Sequence, residues 1–180
     1  VAWGTLPDAG GVPFVAMEWL DGEDLATRQR RDPLTTAEAI EIVTRVGRAL
    51  QAAHEAGVVH RDIKPSNVFL CRCADADGGF LHAEPKLVDF GVAISHGSPS
   101  GWGDIAGTPA YMAPEQARGD ADLDVRCDIY SLGAMLFELV CGRPPHIGPT
   151  PIATLARLAT TPAPHMRELR QDVSNEFDDL

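Results

Sequence analysis

The sequence predicts an α+β chain in which helices predominate, and three patterns predict it. Val12-Pro13-Phe14-Val15-Ala16-Met17-Glu18-Trp19-Leu20 is apolar, partly β-branched or aromatic, and closed by Asp21-Gly22, the pattern of a strand ending in a turn. Two later stretches, Thr36 to Ala56 and Asp124 to Cys141, carry apolar residues at helical steps. Between them, Val68-Phe69-Leu70 and Lys86-Leu87-Val88 read as two short strands. At 180 residues and 44% hydrophobic content the chain is large enough for one domain with a sizeable core.

Each element has its own local signal. Thr35-Thr36-Ala37-Glu38 is a capping box, with Glu38 three residues after Thr35, and it opens the first long helix. Ile42, Val43, Val46, Ala49, Leu50 and Ala53 form its apolar stripe, and Gly57 ends it. His54 lies next to that stripe and reads as structural. In the second long helix Ile129, Leu132, Met135, Leu136, Leu139 and Val140 recur at helical spacing, and Gly142 with Pro144-Pro145 terminates it. Being apolar nearly all round, it is expected to be buried. Pro149 to Thr160 predicts a further short helix, and Ser174 caps another from Asn175. This last helix has only about two turns before the chain end, below the length at which a helix sustains itself.

The charge and cysteine content exclude some function classes. A formal charge of -11 argues against a nucleic-acid or anionic-membrane surface. No apolar run approaches the roughly 20 residues that span a bilayer, and Val1 to Gly10 lacks a charged segment followed by an apolar core. The expectation is therefore a cytoplasmic segment without membrane contact, with any anchor of a larger parent lying outside it. Cys71, Cys73, Cys127 and Cys141 are too few and too uneven for a disulfide framework, which fits a reducing compartment. Cys71, Cys73 and His82 supply three candidate ligands where a stable zinc site wants four. The stretch from 71 to 85 reads instead as an acidic, glycine-containing hairpin extension.

The chemistry concentrates in His60-Arg61-Asp62-Ile63-Lys64-Pro65-Ser66-Asn67. Pro65 keeps a helix from running through it, so Asp62, Lys64 and Asn67 can converge on one point. Asp89-Phe90-Gly91 follows, and then Ala113-Pro114-Glu115. The order H-R-D-x-K-x-x-N, D-F-G, A-P-E resembles a bacterial, eukaryotic-like (Hanks-type) serine/threonine protein kinase. The resemblance implies a protein-kinase-like fold. Residues 1–20 would be a remnant of the small lobe and the hinge, and residues 21–180 a large lobe truncated in its last helices.

The resemblance also implies ATP and Mg2+ as cofactors and proteins with Ser or Thr acceptors as substrates. Phosphoryl transfer needs positioning and charge neutralisation more than covalent chemistry. Asp62 would accept the hydroxyl proton, Lys64 would neutralise charge on the transferring group, and Asn67 with Asp89 would hold magnesium. Met17 would be the gatekeeper beside adenine, the backbone of Glu18 to Leu20 would bond the adenine edge, and Phe69 would floor the pocket. Asp24 falls near a family ribose contact, although capping the next helix explains it equally well. Thr108, within Gly107-Thr108-Pro109-Ala110-Tyr111-Met112, would bond to Asp62 and Lys64.

Supporting residues follow the same pattern. Asp128 would hold the catalytic-loop backbone through amides near His60 and Arg61, since a buried carboxylate needs donors. Phe90 and Gly91 complete the D-F-G motif. Arg61 would pair with a phosphate on Ser95, Ser98 or Ser100, ordering the activation segment. Glu115 would pair with a downstream arginine, for which no good candidate precedes Leu180. No G-x-G-x-x-G loop, V-A-I-K lysine or paired glutamate precedes Val12, so the 180-residue chain alone is expected to have negligible kinase activity. Two alternatives share the motifs: a non-catalytic kinase-like binding module and a small-molecule phosphotransferase.

Overall fold

A computed structural model describes residues 2–6, 11–72, 84–90 and 108–178. Two antiparallel strands, β1 (Ala2–Leu6) and β2 (Val12–Ala16), form a hairpin whose register runs from Ala2↔Ala16 to Leu6↔Val12. The expected strand from Val12 to Leu20 therefore stops at Ala16. Ala2↔Ala16 is the last pair of the ladder among the described residues, and residues 17–21 lie outside any strand.

A second, three-stranded sheet has the order β3 (Gly22–Asp24), β4 (Val68–Cys71), β5 (Glu84–Leu87), antiparallel throughout. Gly22 is required at its edge because a Cβ there would collide with the Leu70 carbonyl oxygen. Asp24 ends β3 and caps α1 (Leu25–Arg31), accepting Thr27 N–H at 2.8 Å.

The long helix α2 (Thr36–Glu55) begins at the capping box: Thr35 Oγ1 accepts Glu38 N–H, and Glu38 returns a carboxylate oxygen to Thr35 N–H at 2.8 Å. A 3₁₀ turn, Pro65–Asn67, follows in the loop, so Pro65 opens a single tight turn. Beyond another 3₁₀ turn, Pro109–Tyr111, come α3 (Pro114–Arg118), α4 (Arg126–Cys141), α5 (Pro151–Thr160) and α6 (Asn175–Asp178).

The core lies where α2 and α4 cross beneath the three-stranded sheet. Ala39, Ile42, Val46 and Leu50 from α2 meet Met135, Leu139 and Val140 from α4, with Ile63, Val68 and Leu70 completing it. Burial of this kind contributes roughly 1.5–3 kcal/mol per large aliphatic side chain. One expectation fails on α4. Ile129 belongs to the apolar stripe but is 56% exposed, beside a shallow cleft lined by Gly47, Leu50, Gln51, His54 and Glu55. The helix buries its Asp128, Ser131, Met135 and Leu139 side and leaves Ile129 and Gly133 outside. Gly142 closes it at φ +78, a conformation that favours glycine.

Candidate active site

The loop between α2 and β4 is held from below by one carboxylate. Asp128, fully buried in the first turn of α4, accepts His60 N–H at 2.8 Å on Oδ2 and Arg61 N–H at 2.7 Å on Oδ1. His54 Nε2 lies 2.8 Å from the same Oδ2. A carboxylate only accepts, so His54 presents Nε2–H to it. The structural role read for His54 is thus a specific one, as a third donor to the buried acid.

His60 fixes the other side of the loop. Its fully buried ring donates from Nε2 to the Val88 carbonyl at 3.1 Å and accepts Asp62 N–H on Nδ1 at 3.3 Å. The ring also lies 4.6 Å from the Phe90 ring, tilted by 47°. Burial pushes the imidazole below its ordinary pKa, against the opposing pull of the Val88 carbonyl and the Asp128 and Asp62 charges. Arg61 takes φ +66, a left-handed conformation uncommon for a side-chain-bearing residue. Its carbonyl accepts Gln116 Nε2–H at 2.9 Å.

Asp62, Lys64 and Asn67 meet at one point. Lys64 Nζ lies 2.8 Å from Asp62 Oδ2. Asn67 Nδ2 donates to the same Oδ2 at 3.0 Å and to the Asp62 carbonyl at 2.9 Å. Asp62 Oδ1 and Asn67 Oδ1 accept no hydrogen bond among the described residues, which leaves one carboxylate and one amide oxygen open. The Asn67 carbonyl accepts Val88 N–H at 3.0 Å, bringing the loop against the segment that carries Asp89. Asp89 is exposed and also has a positive φ, +58.

A magnesium ion shared with phosphate takes few protein oxygens. One open amide oxygen and one exposed carboxylate, on segments joined by that backbone bond, are a fitting donor set. No group of three or more His, Cys, Asp or Glu able to hold a metal occurs among the described residues.

The residues expected around a nucleotide are more dispersed. Met17 is 62% exposed beyond the end of β2, and Leu20 and Phe69 are half-buried. Phe69 stands opposite Asp24 in the β3–β4 register. The Asp24 carboxylate is engaged by Thr27, through N–H at 2.8 Å and hydroxyl at 2.7 Å. Burial raises its pKa, but these bonds outweigh it and hold the group below its usual range. Glu18 pairs with Lys86 Nζ at 2.7 Å, which lowers the carboxyl pKa and raises that of the ammonium. This pair joins the segment after β2 to β5, 68 residues away, and sequence reasoning missed it.

Thr108 departs from expectation. Its side chain bonds neither Asp62 nor Lys64; it is exposed, at the extended residue that precedes the 3₁₀ turn. Lys64 and Asn67 instead bond Asp62 through its Oδ2. The neighbouring segment is anchored elsewhere: Tyr111 hydroxyl donates to Glu138, and Ser131 Oγ donates to the Tyr111 carbonyl at 2.8 Å. Burial is the main reason that Tyr111 and Glu138 both have raised pKa values. Glu115 lines an open cleft with Arg118, Asp120, Asp122, Asp124, Arg126 and Tyr130, and forms no ion pair among the described residues. Arg61 Nε is buried and has no hydrogen-bond partner among them. Gly91, Ser95, Ser98 and Ser100, with Cys73 and His82, lie outside the described residues.

Comparison with known proteins adds a family context. Residues 11–180 match the family model described as protein kinase domain. The chain is 38% identical over 149 residues to serine/threonine-protein kinase PknB of Mycobacterium leprae, covering 81% of the chain and 22% of that protein. It is 35% identical over 175 residues to PknB of Mycolicibacterium smegmatis, covering 94% of the chain and 26% of that protein. A probable serine/threonine-protein kinase of Corynebacterium efficiens is 40% identical over 151 residues, 81% of the chain and 21% of that protein. The chain thus spans about a quarter or less of the length of these relatives.

Proposed function

We propose that this chain, which belongs to the protein kinase domain family, is the catalytic part of an ATP-dependent serine/threonine protein kinase. It transfers the γ-phosphate of ATP to Ser or Thr hydroxyls of protein substrates. The observation that carries the reading is the convergence of Lys64 and Asn67 on one oxygen of Asp62 while the other accepts no hydrogen bond among the described residues. A base must reach the proton it accepts within hydrogen-bond distance, and an open carboxylate oxygen on a rigid loop meets that need.

In this reading Asp62 Oδ1 orients the acceptor hydroxyl and takes its proton. Lys64 holds Asp62 in place and counters charge on the transferring group. Asn67 Oδ1 and Asp89 would hold magnesium, which when bound supplies charge neutralisation at the phosphates. Residues 1–20 belong with a small lobe and hinge, and residues 21–180 with the large lobe. The segment from Met17 to Leu20 then lines the adenine side of the cleft, with Phe69 as its floor. Asp24 is committed to its helix cap, so any ribose contact by it competes with Thr27. Arg61 receives a phosphate on Ser95, Ser98 or Ser100, an assignment consistent with its buried Nε, which has no hydrogen-bond partner among the described residues. Thr108 contributes to the substrate shelf rather than to the Asp62 network.

The test is phosphate transfer from labelled ATP to Ser/Thr peptides by the full-length protein, with Asp62→Ala and Asp89→Asn beside it. Both variants should lose at least about a hundredfold in kcat, given the usual contribution of a positioned base or of charge stabilisation. Transfer that survives Asp62→Ala undiminished overturns the assignment.

A further inference from the structure

Gln116 lies one residue beyond the A-P-E motif, on α3, and its side chain makes two bonds of opposite sense. Oε1 accepts Ala113 N–H at 3.0 Å, closing the start of that short helix. Nε2 donates to the Arg61 carbonyl at 2.9 Å, across a sequence separation of 55. The second bond lands on the peptide plane that enters Asp62. The same plane presents Asp62 N–H to His60 Nδ1 at 3.3 Å, so it is gripped at both ends. Arg61 itself is left-handed at φ +66, and its N–H is taken by Asp128 at 2.7 Å. A strained residue persists only where its surroundings over-determine it. Here the restraints come from three separate places: α4, His60 and Gln116.

We propose that Gln116 is a positioning residue that couples the seating of the A-P-E segment to the orientation of Asp62. When α3 is in place, its amide fixes the carbonyl of Arg61, and Asp62 Oδ1 points to the acceptor. When α3 is displaced, that carbonyl loses its donor and the left-handed conformer loses a restraint. A shift of α3 would then reach Asp62 without any contact between their side chains. The catalytic consequence rests on the kinase reading given above.

A glutamate at 116 separates the two bonds. Its carboxylate still accepts Ala113 N–H but cannot donate to the Arg61 carbonyl unless protonated. Gln116→Leu removes both bonds. In the full-length protein, Gln116→Glu should lower kcat about tenfold, the size expected for one lost hydrogen bond, with the KM for ATP changed less than twofold. Its kcat should recover partly toward acid pH, where a protonated Glu donates; Gln116→Leu should show a similar loss without that recovery. Hydrogen exchange of a peptide spanning residues 58–64 should accelerate in both variants. Exchange at residues 113–118 should accelerate in Gln116→Leu alone.

Wild-type kcat in Gln116→Glu together with unchanged exchange at residues 58–64 overturns the proposal. So does a loss that tracks melting temperature and opens both segments equally in both variants. If the wild-type protein transfers no phosphate, the kinase reading fails, and exchange at residues 58–64 alone decides whether Gln116 holds the loop.

Discussion

Asp128→Ala is the perturbation whose cost the structure states most directly. The carboxylate is fully buried and receives His60 N–H, Arg61 N–H and His54 Nε2–H at 2.7–2.8 Å. Truncation leaves three donors facing a small cavity. Hydrogen bonds to a charged group contribute about 1.5–3 kcal/mol each, and an orphaned buried donor costs about 1–3 kcal/mol. Against this, removing the acid recovers the several kcal/mol that its desolvation costs. The balance resembles that of other buried charge partners that lose one side, about 3–5 kcal/mol.

Asp128→Asn keeps one acceptor oxygen and turns an amide NH2 toward a donor, so it should cost about half as much. Equilibrium urea unfolding measures both, as a shift in midpoint at constant slope. The left-handed Arg61 should relax at the same time, read as faster exchange of the Arg61 and Asp62 amides. A midpoint shift equivalent to less than about 1 kcal/mol in Asp128→Ala would refute the view that this carboxylate holds the loop.

His60 sets a pH dependence. Its folded pKa is depressed by burial, so the unfolded chain binds the extra proton below about pH 6.5. The stability it contributes is complete above that pH and is lost as pH falls toward its folded pKa, with a slope of up to about 1.4 kcal/mol per pH unit. His146, also depressed by burial, adds a slope of the same sign. His60→Phe should be less stable at pH 7.5 but lose part of the decline between pH 6.5 and 5.5 in urea midpoints; parallel curves would exclude His60 as the source. Thr35→Ala deletes the N-cap of α2 and should lower stability by about 1 kcal/mol with an unchanged denaturant slope. A loss below about 0.3 kcal/mol would mean that Glu38 and solvent replace the cap.

Local signals in the sequence were sufficient wherever the physics is local. Thr35 and Glu38 satisfy each other within one turn, and Gly142 closes α4 because it alone there lacks a Cβ, so each is legible from neighbours in sequence. The same holds for the gathering of Asp62, Lys64 and Asn67 around Pro65. What escaped are side chains whose partners lie across the fold: Glu18 with Lys86, His54 with Asp128, Gln116 with Arg61. Periodicity reports which face a residue occupies but not what covers it, and Ile129 shares an apolar stripe yet meets solvent. β1 escaped because its five residues, Ala-Trp-Gly-Thr-Leu, carry little of the β-branched alternation that marks a strand, and pairing with β2 makes it one. Thr108 escaped for a related reason: a motif names the residue, but where the segment is anchored, here through Tyr111 to Glu138 and Ser131, decides what its side chain meets.

The long-range bonds share a logic that the motifs alone do not reveal. Asp62 and Asp89 each follow a residue whose N–H and C=O are both taken. For Arg61 the partners are Asp128 and Gln116; for Val88 they are the Asn67 carbonyl and His60 Nε2. Arg61 and Asp89 are also the side-chain-bearing residues with positive φ among those described. Backbone strain of this sort costs on the order of 1–3 kcal/mol per residue and needs support from elsewhere in the fold. The two carboxylates are therefore aimed by clamped peptide planes, and His60 and Asn67 serve both, since each bonds the Asp62 residue and Val88. A change that loosens one plane should disturb the other through those two residues. The loop of residues 60–67 and the Asp89 segment are thus tied together by hydrogen bonds, with Asp128 below them and Gln116 linking the loop to the A-P-E segment.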